Sequence, residues 1–224
     1  MSGRTEKQTG NGGGKAAATR LRLLDAAARV LSEQGYANTR LTDVGELAGV
    51  QGTAIYYHFS NKEDLVAEVF REGLVHARRY VLDALAEADP ADPIERLSVA
   101  IDAHLRLSTV RPHFSAAASR RSSGEVPPAV QAHCRLDERA YAQIWKTLLL
   151  EAQRAGVLHE NLHLGTVQIM LLNALNSLNY SLSPRRPDIE IAVKSAQRLI
   201  LNGICKDEVA SPTKVARSRS SNGS

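Results

Sequence analysis

Thr39-Arg-Leu-Thr-Asp-Val-Gly-Glu-Leu-Ala-Gly-Val-Gln-Gly-Thr-Ala-Ile-Tyr-Tyr-His-Phe-Ser-Asn-Lys62 reads as two short helices joined by a tight turn. The first runs from about Leu41 to Ala48 behind Thr39, and Gly49-Val50-Gln51 makes the corner. Gly49 suits a turn that needs a positive φ angle. Leu41, Val44, Leu47 and Ala48 fall on one apolar face, and Val50 fills the corner. In the second helix, about Gly52 to Phe59, Ile55 and Phe59 lie four residues apart and bury the inner side. Thr53, Ala54, Tyr57 and His58 are left facing outward, the layout of a helix-turn-helix with an exposed second helix.

Outward from this stretch the pattern stays helical. Leu21, Leu24, Ala28 and Leu31 mark a helix upstream, with Thr19 as its N-cap and Gly35 as its stop. Asn61-Lys62-Glu63-Asp64 opens a long helix reaching about Glu87, with Leu65, Val69, Phe70 and Leu74 among its apolar positions. Further helices are expected over 94–109, 113–122, 128–155, 163–182 and 188–205, punctuated by Pro112, Ser122-Ser123-Gly124, Pro127-Pro128, Gly156 and Pro184-Arg185-Arg186-Pro187. Segments of alternating β-branched residues are missing, so the fold class is all-α, about nine helices. A domain junction is expected inside the long helix, near residue 75.

Composition sets outer bounds. The 224 residues are 43% hydrophobic and 23% charged, which excludes wholesale disorder. Two cysteines, Cys134 and Cys205, cannot build a disulfide framework or a Cys-rich metal site. No apolar run approaches the ~20 residues that cross a bilayer, so a soluble, cytoplasmic protein without membrane association is expected. The net charge of +4 is uneven: residues 1–20 carry +3 and residues 206–224 carry +2, leaving −1 between them. Residues 1–18 and 206–224 therefore read as flexible basic tails around a near-neutral body.

The motifs Ala48-Gly49-Val50, Ile55-Tyr56-Tyr57-His58-Phe59 and Asn61-Lys62-Glu63-Asp64-Leu65 resemble the DNA-binding signature of the tetracycline-repressor (TetR) family. The upstream stretch from Ala26-Ala27 to Gly35-Tyr36 is similar to that family's first helix. The resemblance covers roughly residues 17–77 and implies a DNA-binding domain over 19–77, with a ligand-binding and dimerisation domain over 78–205. It implies phosphate contacts from Thr39 and Thr42, and a major-groove face of Gly52, Thr53, Ala54 and Tyr57. Tyr56, His58 and Lys62 would grip the backbone, Lys62 by its charge. Tyr56 is equally open to simple packing between helices. Two departures stand out: Gln51 replaces the Ser or Thr frequent at the second helix's N-cap, and Thr53-Ala54 stands where Gly or Pro before Ser or Thr is frequent. They leave the operator sequence open.

In the second domain the resemblance implies dimerisation through the helices at 163–182 and 188–205. Ile169, Leu172 and Leu175 on the first, with Ile191, Ala192, Leu199 and Ile200 on the second, supply apolar faces. Asn173, Asn176 and Asn179 recur every three residues, as interfacial or pocket amides or as a solvated stripe. His104, Leu107, Phe114, Tyr141 and Trp145 are candidates for an effector pocket, with ordinary core packing as the alternative. Arg120-Arg121, Arg135, Arg139 and Arg154 could receive an anion, so an acyl-CoA or another hydrophobic or anionic ligand is the expected effector. The stretch Ser183-Pro-Arg-Arg-Pro187 adds to that analogy.

One motif points to an enzyme. His159-Glu160-Asn161-Leu162-His163 matches H-E-x-x-H, whose chemistry needs a helix so that both histidines share a face with the Glu beside the metal. It follows Gly156, a helix stop, and lacks a third ligand, so a zinc hydrolase is the minor alternative. No phosphate-binding glycine loop or nucleophile elbow is present. The expectation is a non-enzymatic regulator without cofactor or metal: a homodimeric repressor of a palindromic double-stranded operator, released by a small molecule.

Overall fold

A computed structural model describes residues 12–122, 124–181 and 188–206. Its described secondary structure is helical: α1 (Gly12–Asn38), α2 (Leu41–Leu47), a short 3₁₀ helix (Gly52–Tyr57), α3 (Lys62–Ala88), α4 (Pro93–Val110), α5 (Pro112–Ser122), α6 (Pro128–Ala132), α7 (Arg135–Arg154), α8 (Leu164–Ser181) and α9 (Ile189–Ile204). Among the described residues no helix is long and apolar enough to cross a membrane. The basic tails fall largely outside the described residues.

The chain forms two compact units, the first from residues up to Leu74 together with Arg111–Leu136, the second from Val75–Val110 and Asp137 onward. Segment 111–136 packs with the first unit. Arg111 explains part of this: its guanidinium pairs with Asp25 of α1 at 2.8 Å and Glu72 of α3 at 3.2 Å, and lies 3.7 Å over the Phe114 ring. Phe114 rests against Gly73, where an added Cβ would meet its ring at 3.6 Å. Arg120 donates to the Ser32 carbonyl at 3.0 Å.

The first unit's core gathers Leu23, Leu24, Ala27 and Leu31 of α1, Val44, Ile55 and Phe59 of the helix-turn-helix, and Leu65, Val66, Val69 and Phe70 of α3. Each large side chain so buried contributes about 1.5–3 kcal/mol. Two boundary expectations are corrected. α1 starts at Gly12 rather than behind Thr19, whose hydroxyl donates to the Lys15 carbonyl from inside the helix at 2.9 Å. The run Ala16-Ala17-Ala18 has the highest helix propensity available and carries the helix backward. The helix expected over 128–155 is two, broken at His133-Cys134. Neither Gly nor Pro marks that break; Val130 and Cys134 are drawn into the core, the thiol reaching the Ala67 carbonyl at 3.5 Å.

In the second unit α4 packs against α8 and α9. Leu97, Ile101, Leu105, Trp145, Leu149 and Leu175 are its fully buried large side chains. Asp188 caps α9 by accepting from the Glu190 amide at 3.1 Å. Leu158 and Cys205 form an isolated antiparallel bridge that ties the end of α9 to the turn after α7.

Candidate functional site

Two local features shape the exposed end of the first unit. At the corner Gly49 takes φ 67°, and the Val50 amide donates to the Gly45 carbonyl at 2.8 Å. Gly45 lies against the corner, where an added Cβ would make ordinary contact with the Val50 carbonyl at 3.4 Å and Ile55 Cβ at 3.9 Å. Leu47, expected inward, is 46% exposed. The second helix is a single 3₁₀ stretch, and this follows from its start. Gln51 is extended and offers no side-chain cap, and Gly52 sits in the left-handed region at φ 55°. A helix opened that way begins without the capped first turn an α-helix uses.

That short helix hangs on two pegs. Ile55 is 1% and Phe59 3% exposed, and both the His58 and Phe59 amides donate to the Ile55 carbonyl. Opposite the pegs, Tyr57 is 93% exposed and Tyr56 about half exposed. Thr53 and Gly52 are exposed, and Ala54 and His58 are half-buried. Tyr56 and Tyr57 thus stand side by side on the outer surface of the short helix, each with an amphipathic ring open to a partner.

Two residues expected at phosphates make hydrogen bonds within the chain. Thr39 is buried, and its hydroxyl donates to the Gly35 carbonyl at 2.8 Å, so its side chain cannot meet a phosphate in this conformation. Lys62 Nζ donates to the carbonyls of Tyr36 and Ala37 at 3.0 and 3.3 Å and lies 4.4 Å over the Tyr36 ring. It therefore ties the start of α3 to the short turn that follows Gly35, where the chain leaves helical geometry at φ 80°. The Tyr36 hydroxyl donates to Glu63 at 2.9 Å. Burial and that carboxylate push the phenol up to about 12, and the Glu63 carboxyl is held low by a backbone hydrogen bond and by Tyr36. Thr42 remains exposed at the start of α2. Sequence reasoning missed Arg40, the exposed N-cap of α2, which has no ion-pair partner among the described residues. Its position directly before the first apolar residue of α2 was the available signal.

The five candidate pocket residues divide. His104, Leu107, Tyr141 and Trp145 lie in the second unit, and Phe114 in the first. The first four are buried. The Tyr141 hydroxyl and His104 Nδ1 are 2.5 Å apart, and Trp145 stands edge-on to both rings at 5.8 and 6.4 Å between centroids. Burial holds the imidazole down at about 4, against the hydrogen bond of Asn176. Burial also pushes the Tyr141 phenol up. Arg120 and Arg121, candidates for an anion, belong to the first unit, where Arg120 pairs with Glu125 at 3.4 Å and Arg121 lies over Phe70 at 5.9 Å. Arg135, Arg139 and Arg154 are exposed. The Ser183–Pro187 stretch lies outside the described residues.

On α8 and α9, Ile169, Met170, Ile191 and Leu199 are 60–79% exposed, whereas Leu175, expected on the same face, is fully buried. Asn173 and Asn176 are exposed, and the Asn179 side chain lies outside the described residues. The H-E-x-x-H segment is no helix. Glu160 pairs with Lys206 at 3.2 Å, and His163 Nδ1 meets the Thr166 hydroxyl at 2.9 Å at the start of α8. Among the described residues no cluster of three metal-ligating side chains occurs.

Residues 23–69 match the family model described as bacterial regulatory proteins of the tetR family, and residues 90–180 match a tetracyclin repressor-like C-terminal domain. The HTH-type transcriptional regulator TtgR of Pseudomonas putida is 38% identical over 76 residues, which take in 34% of this chain and 36% of that protein. The match thus spans about a third of that relative's length. The fatty acid metabolism regulator protein of Bacillus subtilis is 22% identical across 82% of this chain and 94% of its own. Among solved structures, FadR of Bacillus subtilis in complex with stearoyl-CoA superposes with a TM-score of 0.71 at 21% identity, covering 82% of this chain and 98% of that one. The ketosteroid regulator KstR2 of Mycobacterium tuberculosis gives 0.68 at 21% identity, over 84% and 95%. At these identities the two structures share the fold.

Proposed function

Because the chain belongs to the TetR family of bacterial regulatory proteins, we propose that it is a cytoplasmic, ligand-responsive repressor that binds a palindromic operator as a homodimer and leaves it when a small molecule binds. The observation that carries the reading is the 93% exposed Tyr57 ring on a short helix pegged by Ile55 and Phe59. Tyr57, with Thr53, Gly52 and the Ala54 methyl, would read base edges in the major groove. Thr42, Tyr56, His58 and Arg40 would hold phosphates, Arg40 taking the role first assigned to Lys62.

The exposed Ile169 and Met170 of α8 and Ile191 and Leu199 of α9 support dimerisation through these helices, since four such side chains are costly to leave in water. Two copies would set their recognition helices about 34–36 Å apart, one turn of the duplex. Effector binding in the second unit would change that separation through α3, which contributes residues to both units. The stearoyl-CoA bound by the Bacillus FadR and the ketosteroid link of KstR2 favour an effector with a large apolar body.

Selection of random duplex DNA by the purified protein tests the reading. An enriched palindrome and a particle of twice 24.3 kDa in light scattering are expected. A monomer that enriches nothing at low salt would overturn it. On the selected operator, Arg40→Ala should lower the salt slope by about one per protomer without altering base preference. Tyr57→Ala should weaken binding by about 1–3 kcal/mol and blur one position of the site, while leaving thermal stability unchanged because the ring is exposed.

A further inference from the structure

The turn into the 3₁₀ helix carries a side chain that the fold leaves uncommitted. Between Asn38 and Lys62 the chain has three side-chain amides, Asn38, Gln51 and Asn61. Two are engaged locally: Asn38 donates to the Gln34 carbonyl at 3.0 Å, and the Asn61 oxygen accepts from the Asp64 amide at 2.8 Å as α3 begins. Gln51 is exposed, and its amide makes no capping hydrogen bond to the helix it opens. Its backbone carbonyl holds the turn instead, accepting from the Ala54 amide at 3.2 Å. A Ser, Thr, Asn or Asp here would fold its oxygen back onto its own helix. Glutamine, one methylene longer than asparagine, gives up that cap and keeps its amide outside. The next residue leaves it room: Gly52 sits at φ 55°, and a Cβ added there would meet nothing within 4 Å.

Position decides what such an amide can meet. A recognition helix enters the major groove with its N-terminal residues against the base edges. At the leading end of this one Gly52 has no side chain, so Gln51 and Thr53 are the first two exposed side chains. Thr53 offers a single hydroxyl, Ala54 a methyl and Tyr57 a phenol. Gln51 alone among them sets a donor and an acceptor side by side in one plane. Adenine answers that pair in the major groove, with N7 accepting and the N6 amino group donating. Guanine shows two acceptors there, cytosine a donor, and thymine an acceptor beside a methyl. Resting on the operator-binding reading above, we propose that Gln51 reads one adenine in each half-site, its amide nitrogen donating to N7 and its amide oxygen accepting from N6. The base-reading set thus begins one residue before the short helix, and the departure from Ser or Thr at this position exchanges a cap for a base contact.

Selection from random duplex DNA by the full-length protein, by Gln51→Ala and by Gln51→Glu tests this. The side chain is exposed and caps nothing, so both variants should melt as the unaltered protein does. The unaltered protein should enrich a palindrome with a fixed adenine in each half. Gln51→Ala should keep the palindrome and lose that adenine; Gln51→Glu, an acceptor only, should move the preference to cytosine, whose N4 amino group donates. Replacing the adenine by 7-deazaadenine in both half-sites removes N7 and leaves N6 and the pairing with thymine intact. That operator should bind the unaltered protein about tenfold or more weaker, and Gln51→Ala less than about twofold weaker. A palindrome identical at every position for Gln51→Ala and the unaltered protein, or a 7-deaza operator that weakens both alike, would overturn the proposal and leave the operator reading standing. If Gln51→Ala keeps its fold but binds no DNA, the 7-deaza operator decides on the unaltered protein alone: undiminished affinity overturns the adenine contact, and the tenfold loss upholds it. No palindrome from the unaltered protein overturns the operator reading and this proposal together.

Discussion

Ile55→Ala should lower the stability of the first unit by about 2–4 kcal/mol and abolish operator binding at concentrations where the unaltered protein saturates. The side chain is 1% exposed and lies beside Gly45 of α2. Removing it leaves a cavity under a helix that has neither a capped start nor a full α-helical turn, so few backbone hydrogen bonds oppose its release. Ile55→Val keeps most of the volume and should lose only about 0.5–1.5 kcal/mol, with binding largely retained. Urea unfolding followed by circular dichroism, with operator titration in parallel, checks both. A well-folded Ile55→Ala protein that still binds its operator would show that the 3₁₀ helix is held by something other than this peg.

Lys62→Met should weaken operator binding about tenfold or more while leaving its salt dependence unchanged. The ammonium is directed at the Tyr36 and Ala37 carbonyls, so methionine removes two charge-assisted hydrogen bonds and the contact over the Tyr36 ring without removing a counter-ion from DNA. Such bonds contribute roughly 1.5–3 kcal/mol each when buried, and the partial exposure of this lysine brings the expected stability loss to about 1–2 kcal/mol in total. Arg40→Ala gives the opposite pattern, a lower salt slope with unchanged stability. If Lys62→Met lowers the slope as Arg40→Ala does, Lys62 touches phosphate in the complex and the contact with these carbonyls belongs to the free protein alone.

The difference between these lysine and arginine roles marks where reading a sequence stops. Gly49, Ile55 and Phe59 were legible because turn chemistry and helical spacing act locally, and they placed the corner and the pegs of the helix-turn-helix. The hydrogen bonds that Lys62 and Thr39 make were not, because the carbonyls of Gly35, Tyr36 and Ala37 are brought alongside by packing, and a lysine's spacing does not tell which carbonyl it meets. The break at His133-Cys134 was invisible for a similar reason, since tertiary burial of Val130 and Cys134 imposes it on residues that would continue a helix. That Phe114 packs in the first unit was not legible either, because periodicity gives a face and not the unit that face packs in. The H-E-x-x-H pattern was readable as a turn because Gly156 stands just upstream, and the structure uses its Glu160 and His163 for an ion pair and a helix start.

The contact of Lys62 with the end of α1 has a kinetic meaning as well. Residues 37–61, which include the whole recognition apparatus, form a loop whose two ends are clasped by one side chain, with the Tyr36–Glu63 hydrogen bond beside it. Because Val44, Ile55 and Phe59 are buried as well, the segment opens only when those side chains leave the core together with the clasp, so its amides should exchange with solvent as a unit. Operator DNA, by pressing on the loop's outer face, would slow that exchange across the entire segment at once. The reading head of this protein is in that sense a flap clasped at its base and pegged from beneath.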